Sequence, residues 1–262
     1  MATYTANLNV MVKAARTAAR GLIRDFGEVE NLQVSIKGVS DFVSNADTKA
    51  EDIIRAELTY ARPAYGWLGE ESKEVIGDDA TRRWIVDPLD GTTNFLHGLP
   101  HWAISIALEH KGEIVAAVIL DPAKDEMFTA EKGAGAWMNG RRIRVSARRD
   151  LSECVFATGI PFGSKQTMPE TIGELSRLMP QCAGVRRFGA ASLDLAYVAA
   201  GRYDGYWERE LNAWDVAAGL LLVREAGGYV GDINGGKDVF ATGTVLASNA
   251  EVNKKFVKAL TS

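Results

Sequence analysis

Two cysteines and three histidines are all that this 262-residue chain holds of the softer metal ligands. Cys154 and Cys182 form no Cys-x-x-Cys pair and have no histidine close by in sequence. They read as small core residues of a reduced protein, not as zinc ligands or a disulfide framework. Positive charge is in slight deficit, 30 Lys and Arg against 34 Asp and Glu for a net charge of −4. That gives no general pull toward nucleic acid or an anionic membrane. No apolar run approaches the roughly 18 residues of a spanning helix, and no basic start leads into an apolar segment. These absences predict a soluble, cytoplasmic protein. Gly-x-Ser-x-Gly, Gly-x-Gly-x-x-Gly and a Walker-type lysine loop are missing as well, which removes the usual serine-hydrolase and nucleotide fingerprints.

What is present is ample apolar material, 47% of residues, enough for one large core or two modest ones. Leu8, Met11, Val12, Ala15, Ala19, Leu22, Ile23 and Phe26 recur at helical spacing, with Lys13, Arg16, Arg20 and Arg24 on other faces. A second helix is expected over about 45–61, stopped by Pro63. "AYGWLGEES" reads as a strand emptying into a polar loop, and "WAISIALEH", "EIVAAVILD" and "EMFTAEKG" as three sheet strands, the first two turning around Lys111-Gly112. From about residue 151 the texture becomes alternating strand and helix, the α/β signature. Two αβ lobes are therefore expected. Residues 1–150 form an α+β lobe with two helices and a mainly antiparallel sheet, and residues 151–262 form an α/β lobe.

The chemistry lies in acids placed at element ends. In "RRWIVDPLDGTTNF", Asp87 and Asp90 end a buried strand three residues apart. A tight turn stiffened by Pro88 would aim both carboxylates at one point, with the Leu89 carbonyl between them. Glu70 and Glu71 leave another strand, Asp47 sits in the first turn of the second helix, and Asp215 starts a later one. Singly, Asp47 and Asp215 look like first-turn acids, and Glu70-Glu71 like a solvated loop. Together they make the hard oxygen-ligand set that Mg²⁺ requires. A helix beginning at Gly91-Thr92-Thr93 would turn free N–H groups toward a phosphate. Gly91 allows close approach of the backbone, and the Thr92 hydroxyl can hold an attacking water. These are the parts of metal-assisted phosphoryl transfer to water. His97 and His101 are four apart, but Gly98 and Pro100 between them argue against the helix that zinc ligation would need. The basic stretch "GRRIRVSARR" reads as a solvated loop or edge face.

"GEES", "WIVDPLDGTTNFLHGLP", "GAAS", "YWERELNAWDVAAG" and "EAGG", in this order from about Asp41 to Asn249, resemble the inositol monophosphatase family of Mg²⁺-dependent, lithium-sensitive sugar phosphatases. The resemblance implies a layered αβαβα fold, usually as a homodimer, with two or three Mg²⁺ ions. By the same resemblance, Glu70, Asp87, Asp90 and Asp215 bind metal together with the Leu89 carbonyl. Thr92, Asp47 and Glu70 serve the attacking water, and Asp90, Gly91 and Thr92 face the phosphate. Gly189, Ala191 and Glu208 meet the hydroxyls of the substrate, Glu210 being the near competitor of Glu208. Thr93-Asn94 after the Asp-Gly-Thr turn favours an inositol-1-phosphate phosphatase over relatives acting on adenosine bisphosphate or histidinol phosphate. Fructose-1,6-bisphosphatase activity remains an alternative. So does a further role in binding RNA or transcription machinery through Arg141 to Arg149.

Overall fold

The computed structural model describes residues 4–28, 34–36, 42–162 and 167–261. Asp41, where the motif match begins, lies outside them. The chain runs α1 (Ala6–Phe26), β1 (Val34–Ile36), β2 (Phe42–Ser44), α2 (Asn45–Ala61), β3 (Tyr65–Gly69), β4 (Asp79–Asp90), α3 (Thr92–Leu96), β5 (Ala103–His110), β6 (Glu113–Asp121), β7 (Glu126–Glu131), β8 (Gly135–Met138) and β9 (Arg141–Ile143). It continues with β10 (Val155–Thr158), α4 (Met168–Leu178), β11 (Gly184–Arg186), α5 (Ala191–Ala199), β12 (Gly205–Glu208), α6 (Ala213–Glu225), β13 (Tyr229–Gly231), α7 (Val239–Thr242), β14 (Val245–Ser248) and α8 (Asn253–Thr261).

Strands β3 to β9 form a seven-stranded sheet in chain order, antiparallel except for β3 beside β4. Strands β10 to β14 form a second sheet ordered β11-β10-β12-β14-β13, and β1 pairs with β2. The two larger sheets divide between Ile143 and Val155.

Alternation along the strands sets the layers. On β4 and β5, Trp84, Val86, Ile104 and Leu108 pack with Leu8, Met11, Leu22, Ala50, Ile54 and Leu58 of α1 and α2. Ile85, Ala103 and Ala107 face the other way, onto Leu193 and Leu195 of α5 and Leu221 of α6. The second sheet alternates likewise. Ala157, Tyr206, Val245 and Ala247 join that inner core, while Phe156, Trp207 and Leu246 meet Leu178 of α4 and Phe256 and Leu260 of α8. The result is the αβαβα sandwich, with α5 and α6 buried between two sheets. Both are therefore largely apolar around their circumference, as a buried helix must be, with Ser192 and Asp194 the buried polar residues of α5. Gly219 lets them approach closely, because a Cβ there would lie 2.4 Å from Leu195 Cδ1.

The α1 stripe is turned around the helix from where its spacing put it. Ala14 and Ala18 join the buried face, while Ile23 is 52% exposed. The Lys111-Gly112 turn is as expected, both residues having positive φ (54° and 78°), the geometry of a two-residue hairpin.

Candidate active site

The site is built around the end of β4. The strand does not give way to a tight turn after Asp87, as the sequence reading had it, but continues paired through Asp90. Asp87 pairs with Ser105 and Asp90 with Ala103, so three steps on β4 match two on β5. In a regular pleat, residues three apart point to opposite faces. The bulge at Pro88-Leu89 restores the phase and brings both aspartates to one side. Pro88 fits because a bulge residue has no ladder bond to donate. The Leu89 N–H donates to Asp87 Oδ1 at 2.9 Å.

Gly91 follows with φ 89° and caps α3; a Cβ there would lie 3.0 Å from the His101 carbonyl. Glycine is needed on both counts. Thr92 is thus the first helical residue, not the cap, and its hydroxyl donates to the Leu89 carbonyl at 2.9 Å.

Four elements bring acids to this point. Asp47 is 3% exposed in the first turn of α2, and Asp87 and Asp90 are 2% and 9% exposed. Glu70 follows β3, and its carboxyl stands within hydrogen-bonding reach of Asp87. The Asp215 carboxylate accepts the Asn212 N–H at 2.6 Å at the start of α6. Its placement thus satisfies the helix-capping role foreseen for it as well as pointing charge at the cluster.

Burial and mutual repulsion raise the acid pKa values. Desolvation, then Asp215, pushes Glu70 up to about 8. Desolvation, then Glu70 and Asp90, holds Asp87 well above the carboxylate range. Asp90 rises to about 7, chiefly by desolvation, even though hydrogen bonds from Ser192 oppose the shift. Glu70 is solvent-exposed as a residue, so the crevice is open to water at that end and closed at Asp87.

Among the described residues no three histidine, cysteine or acidic groups stand in the arrangement of a formed metal cage. What they present is a demand for positive charge. No ion pair among the described residues includes Glu70, Asp87 or Asp90. Two carboxyls as close as those of Glu70 and Asp87 need a proton or a cation between them. An all-oxygen donor set of this charge suits a hard divalent ion.

The second half of the chain closes the site. Asp90 Oδ2 accepts the Ser192 N–H at 2.7 Å and the Ser192 hydroxyl, which places it on the positive end of α5. Ala191 starts α5 two residues after Gly189, whose φ is 81°. Asn94 Nδ2 donates to the carbonyls of His101 (2.8 Å) and Phe188 (2.7 Å), tying α3 to that turn.

Glu208 ends β12 and accepts the Tyr206 hydroxyl. Its carboxylate occupies the space where a Cβ of Gly159 would be. Desolvation raises it to about 7, with Asp215 and Asp90 among the repelling charges. Two arginines near it in sequence are engaged with other acids, Arg209 with Glu174 and Arg202 with Glu126. Glu210, with φ 59°, accepts instead from the Thr167 hydroxyl.

His97 and His101 do not come together as ligands. His97 closes α3, and His101 packs on Phe188 with ring centroids 5.1 Å apart, its pKa lowered to about 4 by burial.

Sequence reasoning used Asn94 only to choose among relatives and passed over Gly159 and Ser192. Asn94 stands inside the Asp-Gly-Thr-Thr-Asn string and Ser192 inside "GAAS", yet the partners that make them matter are distant in sequence.

A sequence model of the inositol monophosphatase family matches residues 4–262. A protein of Rhizobium meliloti named inositol-1-monophosphatase is 58% identical over 95% of this chain and 94% of its own length. The Nus factor SuhB of Escherichia coli K12 is 47% identical over 94% of this chain and 92% of its own. The crystal structure of the extragenic suppressor protein suhB of Bartonella henselae superposes with a TM-score of 0.96 at 57% identity, covering 98% of this chain and 99% of that one.

Proposed function

The chain belongs to the inositol monophosphatase family, and from that premise we propose that it is a Mg²⁺-dependent phosphomonoesterase hydrolysing inositol-1-phosphate to inositol and phosphate. The family is metal-dependent and acts on phosphorylated polyols. One observation carries the reading: the buried Asp87 and Asp90 of β4 stand beside the Gly91-Thr92 turn with Glu70, which follows β3, and no ion pair among the described residues includes any of the three.

Glu70, Asp87, Asp90, Asp215 and the Leu89 carbonyl would hold two or three Mg²⁺ ions. When bound, these supply charge neutralisation for the transferred phosphoryl group and lower the pKa of water. The Leu89 carbonyl has a second lone pair beyond the one that receives the Thr92 hydroxyl. Thr92 keeps lone pairs with which to accept a hydrogen bond from the attacking water, and with Asp47 and Glu70 it would orient that water. The N–H groups of Gly91 and Thr92 receive phosphate oxygens. Asp90, held by Ser192 at the start of α5, would tie the metals to the phosphate end of the site. Glu208, with the backbone at Gly189 and Ala191, pairs with hydroxyls of the polyol, and the metals and the turn see only phosphate. Selection among alcohols therefore falls to Glu208 and its neighbours.

The same reading includes lithium sensitivity, a homodimer and a cytoplasmic location. Among the described residues no helix is long and apolar enough to cross a membrane. Phosphate release from inositol-1-phosphate, fructose-1,6-bisphosphate, adenosine bisphosphate and histidinol phosphate, with Mg²⁺ or with a chelator, tests it. The expected result is strongest turnover of inositol-1-phosphate, abolished by the chelator. Preference for another substrate would overturn the subfamily, and turnover in chelator would overturn the metal role.

Relatives named as Nus factors favour a second role in RNA or transcription. Arg141, Arg142 and Arg144 are exposed, whereas Arg148 and Arg149 pair with Asp204 and Glu251. A salt-dependent RNA-binding assay, with Arg141, Arg142 and Arg144 changed together to Gln, would show a reduced salt slope if that face binds RNA.

A further inference from the structure

Glu51 is an acid that the proposed chemistry leaves unused, yet it is only 3% exposed. It lies four residues after Asp47 on α2, on the same helix face, among the buried Ala46, Ala50, Ile54 and Leu58. No ion pair among the described residues includes it. Packing alone would place an apolar residue here, because a buried carboxylate costs stability unless hydrogen bonds compensate it. Its Oε2 instead accepts the backbone N–H of Glu71 at 2.8 Å.

The chain around Glu51 is shaped to admit that carboxylate. At Gly69, the last residue of β3, a Cβ would lie 2.6 Å from Glu51 Oε2 and 2.7 Å from Trp67 Nε1. The Trp67 indole donates to Ser72 Oγ at 2.9 Å, and the Glu70 N–H donates to the Val86 carbonyl of β4 at 3.2 Å. The Glu70-Glu71 turn is thus held on one side by the strand that carries Asp87 and on the other by the helix that carries Asp47. Of these clamps, Glu51 is the one that reaches the turn from α2, through a buried carboxyl oxygen.

We propose that Glu51 is a positioning residue for divalent-cation binding: it fixes the Glu70-Glu71 turn against α2 and touches neither ion nor substrate. The inference rests on the metal role proposed for Glu70, and the test separates the two.

Mg²⁺ alone is titrated calorimetrically into the full-length protein, with Glu70→Gln as control. Glu51→Ala should weaken Mg²⁺ affinity by about 10-fold or more, the scale for removing a group that orients a metal ligand. Glu51→Gln keeps a carbonyl acceptor for the Glu71 N–H and should stay within about 3-fold of the parent. Gly69→Ala leaves the carboxylate in the chain but evicts it from its place, and should weaken affinity as Glu51→Ala does. It also carries the test if Glu51→Ala does not fold. In kinetics, the Mg²⁺ concentration for half-activation should rise in Glu51→Ala while the KM for inositol-1-phosphate at saturating Mg²⁺ stays put. A Glu51 that merely supports the fold would lower the melting temperature and leave Mg²⁺ affinity alone. Native affinity in folded Glu51→Ala or in Gly69→Ala overturns the proposal, as does equal weakening in Glu51→Gln. Unchanged affinity in Glu70→Gln overturns instead the metal role of Glu70.

Discussion

Asp204 and Asp90 are both withdrawn from water, at 0% and 9% exposure, but their surroundings differ. Asp204 is supplied locally: its carboxylate accepts the Ser146 hydroxyl at 2.5 Å and the Val155 N–H at 2.8 Å, and pairs with Arg148 at 3.3 Å. It stitches the 146–155 segment to β12 and carries its own counter-charge. Asp90 receives hydrogen bonds from Ser192 but no cation, and it stands among Asp87, Glu70 and Asp215, each repelling it or its neighbours. A buried acid with a cation of its own is spent on holding the fold together. Buried acids that repel one another hold a standing attraction for something from outside.

The comparison breaks most visibly at turnover. Asp90→Asn should cut turnover by ~10³-fold at saturating Mg²⁺, the scale of lost metal and water positioning. Its metal-free melting temperature should hold or rise, because Asn can still accept from Ser192 and one repelling charge is gone. Asp204→Ala should do the reverse, losing about 1–3 kcal/mol of stability with turnover per folded molecule intact. Activity and thermal melts on both variants decide it, and an inactive, well-folded Asp204→Ala would erase the distinction.

Next in size is the water. Thr92→Ala should lose about 10²-fold in kcat, the range for a positioned proton-transfer group, while Thr92→Ser keeps much of it. Equal mild losses would make Thr92 a helix-start residue only. Smaller still is selectivity. Glu208→Gln should lower kcat/KM for inositol-1-phosphate by about 10-fold, as expected for one charge-assisted hydrogen bond, and leave an aryl phosphate without ring hydroxyls nearly unaffected. Parallel losses on both substrates would remove Glu208 from the polyol end.

The smallest effect is thermal. Glu70, raised to about 8, and Asp90, raised to about 7, hold protons in the folded chain that the unfolded chain gives up near the ordinary carboxylate pKa. Stability from these groups is therefore full below about pH 4 and declines as pH rises toward 8. Without metal, the melting temperature should fall by a few degrees between pH 6 and pH 8, where a stability change of about 1 kcal/mol moves a chain of this size by about 2–4 °C. Added Mg²⁺ should raise it more at pH 8 than at pH 6. A melting temperature that rises over that interval in chelator would deny the repulsion.

The acids of this cluster were legible because strand ends and first turns can be read locally, and the Asp-Pro-Leu-Asp-Gly-Thr-Thr string fixes their spacing. The bulge that aligns Asp87 with Asp90 was not, since register depends on β5, which the string does not encode. Ser192 and Asn94 were illegible for the same reason: their partners lie about a hundred residues away. The β8–β9 hairpin was overlooked although its signal was present. Asn139-Gly140, with φ 48° and 74°, sits between "AWM" and "RRI", but the surrounding glycines and arginines read as loop. The α1 helix followed from the spacing of its apolar residues, which burial enforces regardless of topology.

The helices α5 and α6, packed between the sheets, have a consequence for how this chain can be divided. The seven-stranded sheet lies wholly before residue 150, yet one of its two faces is covered by helices encoded after it, and the Asp90 carboxylate rests on the first turn of one of them. A fragment ending in the 144–154 connection would expose Ile85, Ala103, Ala107 and Ile119, an apolar face of the kind that drives self-association. The complementary fragment would carry two largely apolar helices stripped of the sheet that covers them. Recombination at the chain's most open seam would separate not two working modules but two halves of one binding surface, each with an apolar face uncovered.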